Sequence, residues 1–258
     1  MAQTPDIVRG PLRPLSEVNT EPAEPALVRV VWILNQVLKR ISRREWQGQD
    51  KIPKTGGAVF VVNHISNVDP IVFGQFLAYA GRYPHYLGKA SLFKVPIVGR
   101  IITACGQIPV ERGTHTAVQA LSAAIEAVRA GGTVTVYPEG TITLDPDLWP
   151  MTGKTGAARI ALETGVPVVP VGVWGAQTIM GAKKVHFPNL FRRHLLQVKA
   201  GDPVELDDLR QLPISPEVLK EATERLMAAI TALVADLRGL PAPAVRFDPR
   251  PKRPPEIS

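Results

Sequence analysis

A histidine and an aspartate five residues apart are the most reactive pair in the run NHISNVDP, at residues 63–70. On one helix such residues would point about 140° apart, so they can meet only if one of them lies outside it. Pro70 suits the first position of a helix, which makes Asp69 the predicted N-cap and places His64 on the preceding loop. A carboxylate that binds the imidazole fixes its tautomer, and the other ring nitrogen can then take a proton from a hydroxyl. The spacing therefore predicts a general base, although a helix cap beside an ordinary loop histidine gives the same pattern.

Two further segments suit a hydroxylated or phosphorylated substrate. Arg112 follows a short apolar segment and precedes a predicted helix, where its guanidinium could donate two hydrogen bonds to a phosphate. A surface ion pair with Glu111 is the simpler alternative. The run YPEGT at residues 137–141 follows a predicted strand. Its glycine permits close backbone approach, and its glutamate and threonine can bind hydroxyl or phosphate groups, although an ordinary turn could have this sequence.

The composition excludes several classes of function. The chain has 258 residues, 45% of them hydrophobic, and its one cysteine, Cys105, excludes an intrachain disulfide and a multi-cysteine metal site. The histidines show no metal-ligand spacing, and no glycine-rich turn matches a P-loop or a dinucleotide fingerprint. No serine lies in a Gly-x-Ser-x-Gly elbow, which argues against a covalent serine intermediate. The pI of about 9.7 is the one hint of nucleic-acid binding, and because no known module accompanies it we expect no nucleic-acid partner.

Residues 27–46 form a predicted amphipathic helix that carries five cations and one acid, a charge of +4. Apolar side chains recur at helical spacing from Val30 to Ile41, and four of the cations crowd the C-terminal end. This pattern suits the surface of an anionic bilayer, and a core-packed helix with cations at its favourable end fits it equally well. The start of the chain lacks the features of a secretory signal, and no apolar run is long enough for a membrane-spanning helix. We therefore expect a cytoplasmic chain that could lie on a membrane surface.

Apolar β-branched runs alternate with helical stretches, which predicts an α/β domain around a sheet. The predicted strands lie near 57–63, 133–137, 166–173 and 195–200, and the predicted helices start at Pro70 or lie near 116–130 and 154–164. A last helix opens with Ser215 as its cap and closes at Gly239. We predict one domain over residues 26–240. Residues 1–25 and 241–258 are rich in proline and are predicted to be disordered tails.

The order of these motifs resembles the 1-acylglycerol-3-phosphate O-acyltransferases and their glycerolipid relatives. The defining element of that family is a histidine, four residues and an aspartate, which His64 and Asp69 match. Residues 88–112 are similar to the second family block, which ends in an arginine. Residues 137–141 and 166–171 are similar to the third and fourth blocks. The resemblance covers about residues 55–205, and four ordered blocks are more specific than any one of them.

The resemblance implies an O-acyltransferase with a mixed, mostly parallel central sheet flanked by helices. It implies that His64 is the general base and Asp69 orients it, and that the acceptor is held by Arg112, Glu139, Gly140 and Thr141. The reaction would move a fatty acyl group from acyl-CoA or acyl carrier protein to the sn-2 hydroxyl of 1-acyl-sn-glycerol 3-phosphate, giving phosphatidic acid for phospholipid biosynthesis. The enzyme would act at the cytoplasmic face of the cell membrane as a peripheral or monotopic protein. No metal or other cofactor is implied.

The sequence departs from the family pattern after Thr141. The family usually has arginine and then serine there, whereas this chain has Ile142 and Thr143. Either Lys154 or another basic residue replaces the missing cation, or the acceptor differs. The alternative acceptors are glycerol 3-phosphate, another lysolipid or a glycolipid. A non-catalytic lipid-binding protein of the same fold is the further alternative.

Overall fold

The computed structural model describes residues 7–9, 12–110, 115–181 and 192–249. Its helices are α1 (Leu15–Val18), α2 (Pro25–Ile41), α3 (Asp69–Tyr79), α4 (Ala90–Phe93), α5 (Val98–Ala104), α6 (His115–Arg129), α7 (Gly156–Thr164), α8 (Asp207–Arg210) and α9 (Pro216–Arg238). Its strands are β1 (Ser42–Gln47), β2 (Ala58–Val62), β3 (Leu87–Lys89), β4 (Ile108–Val110), β5 (Thr133–Val136), β6 (Val168–Trp174) and β7 (His194–Ala200).

The central sheet has five strands in the order β1-β7-β6-β2-β5. The pairs β1–β7, β2–β6 and β2–β5 are parallel, and β6–β7 is antiparallel. A separate parallel pair joins β3 to β4. The predicted mixed, mostly parallel sheet is therefore confirmed.

Helices cover both faces of the sheet, because side chains along a strand alternate between the faces. On β2, Val59 and Val61 pack with α6, α7 and α9, whereas Phe60 and Val62 pack with α3 and the C-terminal part of α2. All of β2 is buried. The loop that follows β2 consequently starts from the most rigid part of the sheet.

The last helix forms as its sequence predicts. The Ser215 side chain accepts a hydrogen bond from the Val218 backbone N–H, and Pro216 takes the first helical position. Gly239 ends α9 in the left-handed region, with φ of 61°, where glycine has no steric penalty.

The predicted helix over residues 27–46 is wrong at its C-terminal end, because α2 stops at Ile41 and Ser42–Gln47 form β1. The Ser42 hydroxyl donates to the Leu38 carbonyl at 2.6 Å, and the Ser42 backbone N–H donates to the same carbonyl, so this residue closes the last turn of the helix. Trp46 is then buried against Phe76 and Tyr79, where a longer helix could not have placed it. Burial of this side chain and pairing with β7 outweigh local helix propensity.

The N-terminal segment also differs from the predicted tail. Residues 15–18 form a helical turn, and Asn19 is buried with its side-chain amide donating to the Ala78 carbonyl. At the other end, residues 241–249 contain neither helix nor strand, but the Thr152 backbone N–H donates to the Phe247 carbonyl. The ordered body therefore extends beyond both predicted domain boundaries.

Within the described ranges, no helix combines the length and the apolar character needed to cross a membrane.

Candidate active site

The loop after β2 is fixed at its first residue by a side-chain bridge to β6. The Asn63 amide donates to the Val173 carbonyl at 3.0 Å, and its oxygen accepts from the Val173 backbone N–H at 2.7 Å. This pair of bonds continues the β2–β6 ladder by one step. It therefore sets the position from which His64 leaves the sheet.

The structure brings His64 and Asp69 together, as the sequence predicts. Nδ1 of the imidazole lies 2.9 Å from Oδ2 of Asp69. The same oxygen accepts the backbone N–H groups of Ile65 at 2.6 Å and Ser66 at 2.7 Å. The other oxygen, Oδ1, is buried and has no hydrogen-bond partner among the described residues.

Asp69 is the first residue of α3 rather than its N-cap, which is Val68. The predicted cap was therefore wrong by one position. The carboxylate turns away from its own helix and binds amides of the preceding loop, while the Ser66 hydroxyl accepts the Val68 backbone N–H. Asp69 thus fixes the loop that carries the histidine.

Burial and hydrogen bonding act on the pKa of Asp69 in opposite directions. Burial raises the pKa of Asp69, and the hydrogen bonds from His64 and the two loop amides lower it, with burial the larger effect. An imidazolium at His64 would stabilise the carboxylate. The carboxylate can therefore stay bound to Nδ1 of the imidazole and fix its orientation.

The Tyr137 ring packs against the imidazole of His64. Its ring lies 4.4 Å from the His64 ring, centre to centre, with 31° between the planes. Tyr86 stacks behind it at 6.3 Å, and the Tyr86 hydroxyl donates to the Pro70 carbonyl. Burial raises the pKa of both phenols well above the usual value. With Nδ1 engaged and the side chain 17% exposed, Nε2 is the nitrogen that can serve a substrate.

Glu139 binds two backbone amides of the site. Its Oε1 accepts the His64 backbone N–H at 2.8 Å, and its Oε2 accepts the Met151 backbone N–H at 3.0 Å. The side chain is buried, and burial raises the pKa of Glu139 to about 8. Each oxygen accepts a backbone N–H group of the protein, so Glu139 ties the histidine loop to the segment at Met151. Its binding of an acceptor stays a prediction.

Gly140, Thr141 and Lys154 lie together beside this carboxylate. Gly140 has φ of 73°, and a methyl group built on it would lie 3.1 Å from Nζ of Lys154. The Lys154 backbone N–H donates to the Pro138 carbonyl, and the side chains of Lys154 and Thr141 are exposed. The structure thus places an ammonium at the turn where the family arginine is missing.

Arg112 lies outside the described residues, in the gap between residues 110 and 115. Among the part of the chain that the structure describes, no cluster of three metal-binding side chains occurs.

Sequence reasoning missed three residues that hold His64: Asn63, Tyr137 and Thr143. The Thr143 backbone N–H donates to the His64 carbonyl at 2.7 Å, and its hydroxyl donates to the Trp149 carbonyl. Asn63 and Tyr137 each directly follow a strand end, and that position was the available signal. The pairing of their loops depends on β2 and β5 being neighbours, which sequence spacing does not show.

An apolar cleft of about 160 Å³ lies between α2, α3 and α5. It is lined by Pro70 and Ile71 at the start of α3, by Leu27 and Val31 of α2 and by Ile101 of α5, among others. The cleft thus reaches the first turn of α3, which also carries Asp69. Its small volume and apolar lining suit a narrow hydrocarbon chain.

The sequence profile of the family described as Acyltransferase matches residues 43–174, just over half of the chain. The chain belongs to the Acyltransferase family. The match includes the His64 loop, Asp69, the Glu139 turn and Lys154, which form the site described above. It ends at Trp174, the last residue of β6.

Curated relatives of this acyltransferase include a chloroplastic 1-acyl-sn-glycerol-3-phosphate acyltransferase of Brassica napus, 34% identical over 52% of this chain and 38% of the relative. The 1-acyl-sn-glycerol-3-phosphate acyltransferase of Borreliella burgdorferi is 32% identical over 49% of each chain. The chain therefore spans about half the length of these relatives or less. The crystal structure of the 1-acyl-sn-glycerophosphate (LPA) acyltransferase PlsC from Thermotoga maritima matches with a TM-score of 0.61, 25% identity and 82% of each chain covered.

Proposed function

We propose that this acyltransferase moves a fatty acyl group from acyl-CoA or an acyl carrier protein to the sn-2 hydroxyl of 1-acyl-sn-glycerol 3-phosphate, giving phosphatidic acid. The observation that carries the proposal is the contact of 2.9 Å between His64 Nδ1 and the buried Asp69 carboxylate. The names of the relatives support this acceptor.

His64 acts as general base in a direct transfer. Nε2 takes the proton of the acceptor hydroxyl while that oxygen forms a bond to the thioester carbonyl carbon. The carbon–sulfur bond then breaks, and the thiolate takes the proton back from the imidazolium. No metal and no redox cofactor takes part, and no acyl-enzyme forms.

Asp69 holds the proton of Nδ1 in place and stabilises the imidazolium in the transition state. The two loop amides that share its Oδ2 prevent the carboxylate from rotating away. The role of Asp69 is therefore orientation and charge stabilisation, and it exchanges no proton with the substrate.

The acceptor phosphate is proposed to lie beside the exposed turn that carries Thr141 and Lys154. The ammonium of Lys154 supplies a positive charge, and the Thr141 hydroxyl can donate a hydrogen bond. Arg112 is proposed to supply a second cation, as the resemblance implies. Gly140 permits the phosphate to approach the backbone because it has no side chain.

The protein is proposed to work on the cytoplasmic face of the cell membrane as a peripheral protein. α2 exposes the apolar side chains of Val28, Trp32, Ile33 and Val37, and its C-terminal end carries Lys39 and Arg40. An apolar helical face with adjacent cations binds anionic bilayers. The apolar cleft between α2 and α5 would then receive an acyl chain.

The proposal is tested by offering a labelled acyl-CoA together with lysophosphatidic acid, glycerol 3-phosphate or an uncharged lysolipid, and by identifying the product. We expect phosphatidic acid from lysophosphatidic acid and little product from the uncharged acceptor. Lys154→Gln should raise KM for lysophosphatidic acid about 10-fold, equivalent to about 1.4 kcal/mol. The matched control is Lys220→Gln, an exposed lysine of α9 that has no part in the proposed acceptor site.

Two results would change the assignment. Preferential acylation of glycerol 3-phosphate or of the uncharged lysolipid would leave an acyltransferase with another acceptor. Equal KM values for Lys154→Gln and wild type would remove Lys154 from the acceptor site.

A further inference from the structure

The segment that forms α4 and α5 exposes an unusual number of large apolar side chains. It lies within the second block of the family resemblance, and apart from the residues of α5 that line the cleft the proposed reaction does not use it. The exposed side chains are Leu92, Val95, Ile97, Val98 and Ile101. Short helices of a soluble protein normally turn such residues to the core, and a clustered apolar surface indicates a partner.

Ile97 is at the tip of this hairpin in a backbone conformation that β-branched residues rarely adopt. Its φ is 68° and its ψ is −61°, and the Val98 backbone N–H donates to the Pro96 carbonyl at 2.8 Å, which closes a strained γ-turn. The Ile97 side chain is 71% exposed, so no packing within the protein offsets this strain. Backbone strain that no internal packing compensates is often found at functional positions.

The hairpin is held in this shape by a close approach of its two helices. A methyl group on Gly99 would lie 2.0 Å from the Phe93 carbonyl oxygen, and the Gly99 backbone N–H donates to the Val95 carbonyl at 2.7 Å. The apolar side chains therefore point outward from a compact turn.

The charged residues of the hairpin segment itself are all positive. Residues 87–110 contain Lys89, Lys94 and Arg100 and no aspartate or glutamate. Arg100 and Ile101 line a shallow groove with Arg29 and Val30, so α5 and α2 lie side by side. An apolar surface ringed by cations is complementary to an anionic lipid bilayer, in which each nearby cation adds about 1 kcal/mol of attraction.

We propose that the α4–α5 hairpin is a second membrane-contacting element, which inserts the Ile97 side chain into an anionic bilayer while α2 lies on the same surface. The inference rests on the proposed function of a peripheral membrane enzyme. With both elements on the bilayer, the cleft between α2 and α5 opens toward the lipid, and an acyl chain can enter without crossing water.

The test is a vesicle-binding measurement with Ile97→Gly. Glycine adopts positive φ readily, so the variant relieves the strained turn, and its thermal unfolding temperature should equal or exceed that of wild type. The matched control is Leu212→Gly, which removes the same number of carbon atoms from an exposed side chain that follows α8. Sedimentation with vesicles of phosphatidylcholine and phosphatidylglycerol in equal parts gives the partition coefficient.

We expect Ile97→Gly to bind these vesicles about 10-fold more weakly than wild type, and Leu212→Gly to bind like wild type. Arg100→Gln should weaken binding to the anionic vesicles and leave binding to pure phosphatidylcholine unchanged. Wild-type binding by Ile97→Gly, or no vesicle binding by the wild type, would overturn the proposal. Loss of self-association in Ile97→Gly with unchanged vesicle binding would assign the hairpin to an interface between copies instead.

Acyl transfer with short-chain substrates in solution separates this proposal from the proposed function. Ile97→Gly should keep wild-type activity there, because Ile97 is exposed and is not among the residues that line the cleft. If the wild type shows no acyl transfer but binds vesicles through Ile97, the function fails and the membrane contact stands. If the wild type transfers the acyl group and Ile97→Gly binds vesicles like the wild type, the proposed function stands and the membrane contact through Ile97 fails.

Discussion

At the scale of single residues, His64 is held by contacts on both its ring and its backbone. Asp69 and Tyr137 fix the ring, while Glu139 and Thr143 bind the backbone N–H and carbonyl. Residues from two separate loops thus determine one side-chain position. A general base needs such positioning because proton transfer requires hydrogen-bond distance in the reactive complex.

Glu139 gives a pH prediction with a definite sign. The pKa of its carboxyl is raised to about 8 in the folded protein, above the ordinary value of 4.5. Between these values the folded state holds a proton that the unfolded state has lost, so stability falls as pH rises from about 4.5 to about 8, by up to about 1.4 kcal/mol per pH unit.

Glu139→Gln should remove that contribution. Urea unfolding at several pH values should show a smaller decline in the free energy of unfolding for the variant than for wild type. Glu126→Gln, at an exposed position of α6, is the control and should follow wild type. Parallel curves for Glu139→Gln and wild type would show that the buried carboxyl does not titrate in this range.

The sequence predicted the reacting pair but not its surroundings. His64 and Asp69 are close in the chain, so loop and helix geometry brings them together from local rules. Tyr137 and Thr143 reach His64 only because β5 lies beside β2, a long-range pairing that no local pattern contains. The sequence also could not show that the Glu139 oxygens accept two backbone amides, because these contacts join segments that are far apart in the chain or pass through a loop.

At the scale of elements, the close packing of α4 on α5 depends on Gly99. Gly99→Ala would force its methyl group against the Phe93 carbonyl, so the hairpin must open. We expect a loss of stability of about 1–3 kcal/mol and faster amide hydrogen exchange over residues 90–104.

The matched control for this prediction is Gly156→Ala in the first turn of α7. A methyl group there meets nothing within 4 Å, so the variant should be as stable as wild type or more stable by about 0.4–1 kcal/mol. Normal protection of residues 90–104 in Gly99→Ala would contradict the packing described for the hairpin.

Elements with a clear local pattern were predicted well, and those decided by tertiary contacts were not. β2, β6 and α9 follow from apolar runs and from the Ser215 and Gly239 caps. β1 was predicted as helix because its basic run continues the pattern of α2. Its parallel pairing with β7, far along the chain, determines its conformation.

At the scale of the whole molecule, the N-terminal segment is tied to the body through a buried cation. Arg82 is 1% exposed and donates to Glu21 and to the carbonyls of Pro53, Gly56 and Gly131. Removal of one partner of a buried ion pair leaves a charge uncompensated. This contact explains why residues predicted as a disordered tail are ordered.

Glu21→Ala should therefore lower the free energy of unfolding by about 2 kcal/mol, below the range for a fully buried pair because three carbonyls still accept from Arg82. Urea unfolding measures this change. Glu17→Ala, at an exposed position of α1, should stay within about 0.5 kcal/mol of wild type. A change in the free energy of unfolding for Glu21→Ala that is as small as the change for Glu17→Ala would show that the Glu21–Arg82 contact contributes no specific stability.

The central claim is that the His64–Asp69 pair supplies the general base for acyl transfer. The most direct measurement is the single-turnover rate of phosphatidic acid formation by wild type, His64→Ala and Asp69→Asn, with folding of each variant verified by its thermal unfolding. We expect His64→Ala and Asp69→Asn each to lower the rate by at least about 100-fold while substrate affinity stays similar. A folded His64→Ala protein that keeps more than about a tenth of the wild-type rate would contradict the claim, because a general base contributes at least about 100-fold.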